Sequence, residues 1–217
     1  MELSEAVEAI ISAKGMRSGI DNDSKDLIEN NLIKEGVFEE ALTGNVYYLI
    51  KAADFILRIK SNDFFDPKEF ATLFLKEAEK NADDVYDYKD LIEVIICADD
   101  DEWQGGLNYQ KWADQLLEHF FTLNPESADV MSIADLVKFD CNDENRAREI
   151  SKKVEINKDE ENMYQAIGTV RSLIDEYDDY ETAKKIMQQS LDYKLEMDDE
   201  ETAQMVEEAK RDLGMKQ

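Results

Sequence analysis

The chain has 217 residues, of which 43% are hydrophobic and 35% are charged, and its formal net charge at pH 7 is −27. This length allows one or two domains with a hydrophobic core, and the negative charge disfavours direct contact with nucleic-acid phosphates or anionic membranes. Because the same charge attracts basic molecules, the composition favours either a basic protein partner or simple solubility.

The sequence contains few residues that interrupt helices. Pro occurs twice and Gly eight times, which predicts long helices with short connections. The most apolar stretch, 46–59, is broken by three charged residues, and the N-terminus is acidic where a signal peptide would be basic. The two cysteines, Cys97 and Cys141, have no CxxC spacing and are predicted to be buried thiols. These features predict a cytoplasmic protein.

Residues 1–45 are predicted to form an N-terminal helical cap. Apolar residues recur at helical spacing over 2–13, a loop is expected over 15–23, and shorter helices are expected over 26–35 and 37–42. We expect these helices to pack on a repeat domain that begins at residue 46.

A helix-start pattern occurs five times from residue 66 onward. It consists of Asp or Asn, then four residues, then Ala, then a large apolar residue three positions later. Asp and Asn side chains accept amides of a first helical turn, and the Ala and apolar residues form one stripe on the helix. A Glu three residues after the cap predicts capping boxes in several copies, including 66–69 and 178–181. The copies are Asp66–Ala71–Phe74, Asn108–Ala113–Leu116, Asn142–Ala147–Ile150, Asp178–Ala183–Ile186 and Asp198–Ala203–Val206.

The first four copies each follow another apolar helix, and no segment alternates with period two for long enough to predict a strand. We therefore predict an all-α fold of helical hairpins with one compact domain overall. The first helices of the hairpins are predicted over 47–60, 88–98, 130–138 and 163–176. The repeat units are predicted over 46–85, 86–127, 128–160 and 161–197, followed by a lone terminal helix over 198–213.

This pattern resembles the helical-hairpin repeat class, with a tetratricopeptide-like unit length but without the full tetratricopeptide signature. The resemblance covers residues 46–210 and rests on period and pattern. It implies a right-handed α-solenoid of about four hairpins, with N-terminal helices, a C-terminal capping helix and a concave face that binds peptides or proteins.

No acidic cluster matches the calcium loop of an EF-hand. The frames that start at Asp21, Asp99 and Asp140 all lack the required Gly at position six and Glu at position twelve. The sequence therefore predicts no metal site and no cofactor. Cation binding by the acidic insertion at 99–102 is kept as the alternative to a solvated loop.

Signals for catalysis are few. His119 is the only histidine, which excludes His-rich zinc sites and mechanisms that need two imidazoles. The chain has no GxSxG, P-loop, GxGxxG or CxxC motif. Hydrolysis by an acid pair is a third hypothesis, although none of the 52 acidic residues is singled out. The chain is predicted not to be an enzyme.

Aromatic residues cluster around the second repeat and its acidic insertion. Trp112 precedes the alanine of a repeated helix and is expected to pack in the core, whereas Trp103 lies in the insertion, where core packing is harder to achieve. Trp and Tyr are favoured at protein-interface anchors. The predicted binding residues are Trp103, Asp99, Asp100, Asp101, Glu102 and Tyr109.

Together these features favour a non-catalytic, acidic helical-repeat protein that binds a protein or peptide partner, which we expect to be basic. A more specific hypothesis is an inhibitor or immunity-type protein that covers a basic toxin or nuclease. The alternative is a regulatory or structural protein that binds divalent cations through the insertion at 99–102.

Overall fold

Helices form the regular structure in the computed structural model, which describes residues 1–15, 20–60, 66–98, 109–197 and 200–215. No strand occurs within these ranges, in agreement with the predicted all-α class. A π-helix, Ile28–Lys34, accompanies twelve α-helices in the described residues. The α-helices are α1 Leu3–Gly15, α2 Asn22–Leu27, α3 Val37–Ala41, α4 Val46–Leu57, α5 Pro67–Asn81, α6 Val85–Ala98, α7 Tyr109–Thr122, α8 Ser127–Phe139, α9 Glu144–Ser151, α10 Met163–Asp175, α11 Tyr180–Tyr193 and α12 Glu200–Asp212.

The chain divides into two compact units, Met1–His119 and Phe120–Gln217. Helices α1 to α6 belong to the first unit, and α8 to α12 belong to the second. The predicted division into a cap over 1–45 and a repeat domain over 46–217 stays a prediction. Among the described helices, none combines the length and the apolar character needed to cross a membrane.

In the first unit, α4 makes the most extensive helix contacts. It packs against α3, α5, α6 and the π-helix, while α1 packs against α5 and the π-helix. The buried face of α4 carries Leu49, Ala52, Ala53 and Ile56, all fully buried. Because alanine allows two helices to approach closely, this face suits the packing of α4 among its neighbouring helices.

In the second unit, consecutive helices pack as pairs, α8 with α9 and α10 with α11. Helix α10 also packs against α8 and α12, which places the first helices of two successive pairs side by side. The predicted stripes of α9 and α11 are confirmed, since Ala147, Ala183 and Ile186 are fully buried and Ile150 is almost so.

Helices α9 and α11 begin one residue later than the repeat pattern predicts. Their caps are Asp143 and Asp179, whose side chains each accept an amide of the first turn at 3.0 Å. Asn142 and Asp178 instead adopt the left-handed conformation, with φ angles of 51° and 52°. The predicted caps at these two positions are therefore wrong, as is the predicted capping box with Glu181.

Each left-handed residue has a structural role at the end of the preceding helix. The amide of Asp143 donates to the carbonyl of Val137 at 3.0 Å, and the amide of Asp179 donates to Leu173 at 2.9 Å. Each bond joins residues six positions apart, one more than in the Schellman motif, but like that motif it follows a left-handed residue and occupies a carbonyl at the helix end. Asn and Asp tolerate this conformation better than other non-glycine residues. Adjacent polar residues thus end one helix and cap the next.

Two other helix starts refine the predicted capping. Asp66 does cap α5, but it accepts the amide of Lys68 at 3.0 Å, one residue earlier than the predicted box with Glu69. A complete capping box joins Asn162 and Gln165 at the start of α10, with amide-to-side-chain bonds of 3.0 and 2.9 Å. This Asn-x-x-Gln motif was not among the predicted helix starts.

The fifth copy of the pattern is shifted on its helix. In α12 the buried residues include Thr202 and Val206, whereas Ala203 is exposed. The prediction that Ala203 faces a neighbouring helix is wrong, because the buried stripe of α12 runs through Thr202, Val206 and Ala209 and leaves Ala203 outside it. The predicted caps at Asn108 and Asp198 lie outside the described residues.

The segment predicted as one helix over 26–35 consists of the end of α2 and the π-helix. Helix α2 begins earlier, at Asn22, because the Asp21 side chain accepts the amide of Ser24 at 2.8 Å. The Lys60 ammonium lies 3.0 Å from the same carboxylate. Hydrogen bonds from Ser24, followed by the interaction with Lys60, lower the pKa of Asp21 to about 2.

Candidate functional site

An open groove lies between α8 and α10 in the second unit. Its volume is about 490 Å³ and its lining is mainly apolar. Ala128 and Ser132 line it from α8, and Gly168 and Ser172 line it from α10. Residues four apart lie on the same helix face, so each helix presents a row of small side chains. A Cβ atom added at Gly168 would meet no atom within 4 Å, which shows that the groove is open at this point.

Helices α8 and α10 run parallel. Near their N-terminal ends, the Gln165 side-chain amide donates to the Glu126 carboxylate at 3.1 Å. Near their C-terminal ends, the Lys138 ammonium lies 3.1 Å from the Glu176 carboxylate. Both C-termini therefore meet at the same end of the groove, where the two helix dipoles contribute partial negative charge.

A buried carboxylate holds the N-terminal end of α8 in place. Glu161 is 6% exposed, and its Oε1 accepts the amides of Ser127 and Asn157 at 2.8 and 2.9 Å. The Ser127 hydroxyl donates to the other oxygen of Glu161 and lies 2.7 Å from the hydroxyl of Thr169 on α10. Hydrogen bonds to a carboxylate are stronger than those between neutral groups, so this network fixes α8 against α10. It thereby sets the width of the groove.

Asp135 is the carboxylate that lines the groove. The fully buried Tyr177 donates its phenolic hydrogen bond to Asp135 Oδ1 at 2.7 Å. Burial, followed by this bond and the charge of Asp135, raises the pKa of Tyr177 above its ordinary value, so the phenol remains a donor. The Lys138 ammonium lies 4.9 Å from the centre of the Tyr177 ring. Asp135 is thus oriented by a group in the core.

Two large aromatic side chains are exposed near opposite ends of the groove. Tyr164, in the first turn of α10, is 59% exposed, and Phe139, at the end of α8, is 58% exposed. Phe139 lies four residues after Asp135 and so continues its face of α8. The exposed Asp175 lies seven residues after Gly168 and adds a second carboxylate at the C-terminal end. Exposed apolar surface beside a groove is typical of interaction sites.

Most of the predicted binding residues lie outside the described part of the chain. These are the acidic residues at 99–102 and Trp103, while Tyr109 is the first residue of α7. The prediction that they bind a partner, or a divalent cation in the alternative hypothesis, stays a prediction. The groove between α8 and α10 was not predicted, although small residues spaced by four in both helices were visible in the sequence.

Three residues that the sequence analysis singled out have defined surroundings. Trp112 is 8% exposed and its indole nitrogen donates to Glu79 at 2.9 Å, which confirms its predicted burial. His119 is exposed, with its ring centre 4.6 Å from that of Tyr88. Cys141 is exposed, so its predicted burial is wrong.

An acidic cluster that the sequence analysis did not identify lies at the start of α6. Carboxylate oxygens of Asp83, Asp84 and Asp87 lie within 4.8 Å of one another. Burial, followed by the charges of neighbouring aspartates, raises the pKa of Asp87 above its ordinary value. The Asp87 amide donates to Asp84 at 2.9 Å, and the Asp83 amide donates to Asp87 at 3.3 Å. These are the bonds of a helix start, which accounts for the cluster.

No protein-family model, curated protein or solved structure matches this chain. The likeness to tetratricopeptide-like repeats therefore rests on the residue pattern alone.

Proposed function

We propose that this chain is a non-catalytic, acidic helical protein that binds a basic protein or peptide partner. The observation that carries the proposal is the excess of 52 acidic over 25 basic residues. Several of the basic side chains already pair with carboxylates, including Lys138 with Glu176 and Arg148 with Glu144 at 3.1 and 2.8 Å. The surplus of carboxylates attracts a basic partner and raises its rate of association.

The groove between α8 and α10 supports a binding role rather than a catalytic one. Among the described residues, its lining contains one carboxylate, Asp135, and no histidine, cysteine or lysine. The serine, threonine and tyrosine hydroxyls of the lining are weak nucleophiles unless an adjacent base such as histidine or lysine activates them. A mainly apolar groove with one oriented carboxylate instead suits the recognition of a segment that carries both apolar and basic side chains.

We further propose that the helical pairs stack as turns of a right-handed α-solenoid with about four hairpins. Support within the second unit comes from the pairs α8 with α9 and α10 with α11, and from the packing of α8 beside α10. In solenoids the repeats contact their neighbours and create extended binding surfaces. A groove between the first helices of two successive pairs suits such a surface.

Affinity capture from an extract of the source cells, followed by titration with the purified captured protein, tests this function. We expect a basic partner that binds saturably and more weakly as salt increases. A partner that is acidic, or the absence of any saturable binding, would contradict the proposal. A more specific form of the proposal is that the chain is an inhibitor or immunity-type protein. Its partner is then a basic toxin or nuclease that loses activity in the complex. Full activity of the complexed toxin would contradict that form.

A further inference from the structure

We infer that the groove between α8 and α10 binds an amphipathic helix of the basic partner, and that a Lys or Arg side chain of this helix pairs with Asp135. The inference rests on the proposed function and assigns its binding site and the shape of the bound segment. It is carried by the length of the groove, by the hydrogen bonds of its polar residues and by the charge at its C-terminal end.

The groove has the length of a short helix. Its lining runs from Ala128 to Asp135 on α8 and from Tyr164 to Ser172 on α10. At a rise of 1.5 Å per residue these stretches are about 10–12 Å long, which corresponds to about two turns of a bound helix. Tyr164 and Phe139 are exposed near the two ends and are placed to contact apolar side chains there.

Gln165 and Thr169, two polar residues of the groove, are already hydrogen-bonded within the protein. Gln165 accepts from the Asn162 amide and donates to Glu126, while Thr169 lies in hydrogen-bond distance of Ser127. An extended segment would need partners for its own backbone amides and carbonyls, whereas a helix satisfies these groups internally. The groove therefore fits a helix that contributes side chains rather than backbone hydrogen bonds.

The row of small side chains also favours a helix. Ala128, Ser132, Gly168 and Ser172 leave room for a third helix to approach α8 and α10 closely. Side chains on one face of such a helix recur every three or four residues and would fill the space above these positions.

The C-terminal end of the groove is negatively charged and complements a basic side chain. Asp135 and Asp175 lie at this end, together with the C-termini of the two parallel helices. The nearby Lys138 already pairs with Glu176, and Arg171 pairs with Glu208 on α12 at 3.2 Å. The second unit as a whole has 25 acidic and 13 basic residues. A Lys or Arg side chain on the bound helix can therefore pair with the carboxylate of Asp135.

Fluorescence anisotropy with a defined probe tests this inference on the full chain. The probe is a labelled peptide of Lys, Leu and Ala with its apolar residues at helical spacing, and its control is a scrambled peptide of the same composition. Gly168→Leu fills the groove and is expected to fold, because the position is helical and the added side chain meets open space. Asp135→Asn removes the charge but keeps an oxygen that accepts from Tyr177. Glu181→Gln, on the exposed surface of α11, is the charge-matched control.

We expect the amphipathic peptide to bind the wild type, with Kd raised about tenfold by Gly168→Leu, about fivefold by Asp135→Asn and less than about twofold by Glu181→Gln. Equal binding of the scrambled peptide would overturn the helical form of the bound segment. If both groove variants bound the peptide as tightly as Glu181→Gln, the groove would be excluded as the binding site. The chain would still bind basic segments, but at another surface. If neither peptide bound the wild type at low salt, this inference would fail. The proposed function would then be decided separately by its capture test.

Discussion

Tyr177 donates a hydrogen bond from the core of the second unit to Asp135 in the groove, across 2.7 Å. Replacing Tyr177 by Phe removes the donor but keeps the buried ring. We expect the free energy of unfolding to fall by about 1–2 kcal/mol, because a hydrogen bond to a charged group is lost and water replaces it in part. Urea denaturation measures this change. The control is Tyr180→Phe on an exposed side chain, and equal effects of the two changes would contradict a role for the bond.

The raised pKa of Tyr177 predicts a dependence on alkaline pH. Above a pH of about 10 the unfolded chain releases this proton while the folded chain retains it, so stability falls as pH rises. The stability difference between wild type and Tyr177→Phe should therefore shrink between about pH 9 and pH 11. Urea denaturation of both proteins across this range provides the measurement, and a constant difference would argue against the raised pKa.

The start of α11 distinguishes the observed cap from the one that the repeat pattern predicts. Asp179 accepts the Thr182 amide at 3.0 Å and the Thr182 hydroxyl at 2.8 Å. Asp179→Ala should lower the free energy of unfolding by about 1 kcal/mol. Asp178→Asn keeps a residue that tolerates the left-handed conformation and should change it by less than about 0.5 kcal/mol. Thermal and urea unfolding of the two variants measure these changes. A larger loss of stability for Asp178→Asn than for Asp179→Ala would indicate that Asp178 caps α11.

The carboxylate of Glu161 should be important for the stability of the second unit. Glu161→Ala leaves the amides of Ser127 and Asn157 without their acceptor in a buried position. We expect a loss of about 2–4 kcal/mol, since unsatisfied buried donors are costly. Glu160→Ala, on an exposed neighbour, serves as the control in the same urea denaturation. A small loss at Glu161 would mean that the network does not hold α8 to α10.

Acid should weaken the first unit through Asp21. Its pKa of about 2 in the folded protein lies below the ordinary value of 3.8. Stabilisation from this group is therefore present above a pH of about 4 and lost as pH falls towards 2. Asp21→Asn should show a shallower loss of stability over this interval than the wild type. Identical acid profiles in urea denaturation would show that the lowered pKa is absent.

Local residue patterns predicted the helices and their buried faces. The stripes Ala147–Ile150 and Ala183–Ile186 were visible because helical periodicity is encoded within a few residues. The caps were misplaced by one residue in the pairs 142–143 and 178–179, where both residues are good caps. Which residue caps a helix depends on how the preceding helix ends, and the bonds from Asp143 to Val137 and from Asp179 to Leu173 become visible only in the structure.

The groove depends on contacts between residues far apart in sequence. Ser127 and Glu161 are 34 residues apart, and Tyr177 and Asp135 are 42 apart. Their pairing sets the spacing of α8 and α10, and no local pattern specifies it. The spacing of small residues in α8 and α10 is visible in the sequence, but the sequence does not indicate that these residues line the same groove.

Calorimetric titration of the chain with its purified captured partner, at about 50 mM and about 300 mM salt, tests whether opposite charges hold the two proteins together. We expect saturable binding at low salt and a Kd at least about tenfold higher at high salt, because salt screens the attraction between opposite charges. Binding that is absent at low salt, or that keeps the same Kd at both concentrations, would contradict an acidic protein that recognises a basic partner.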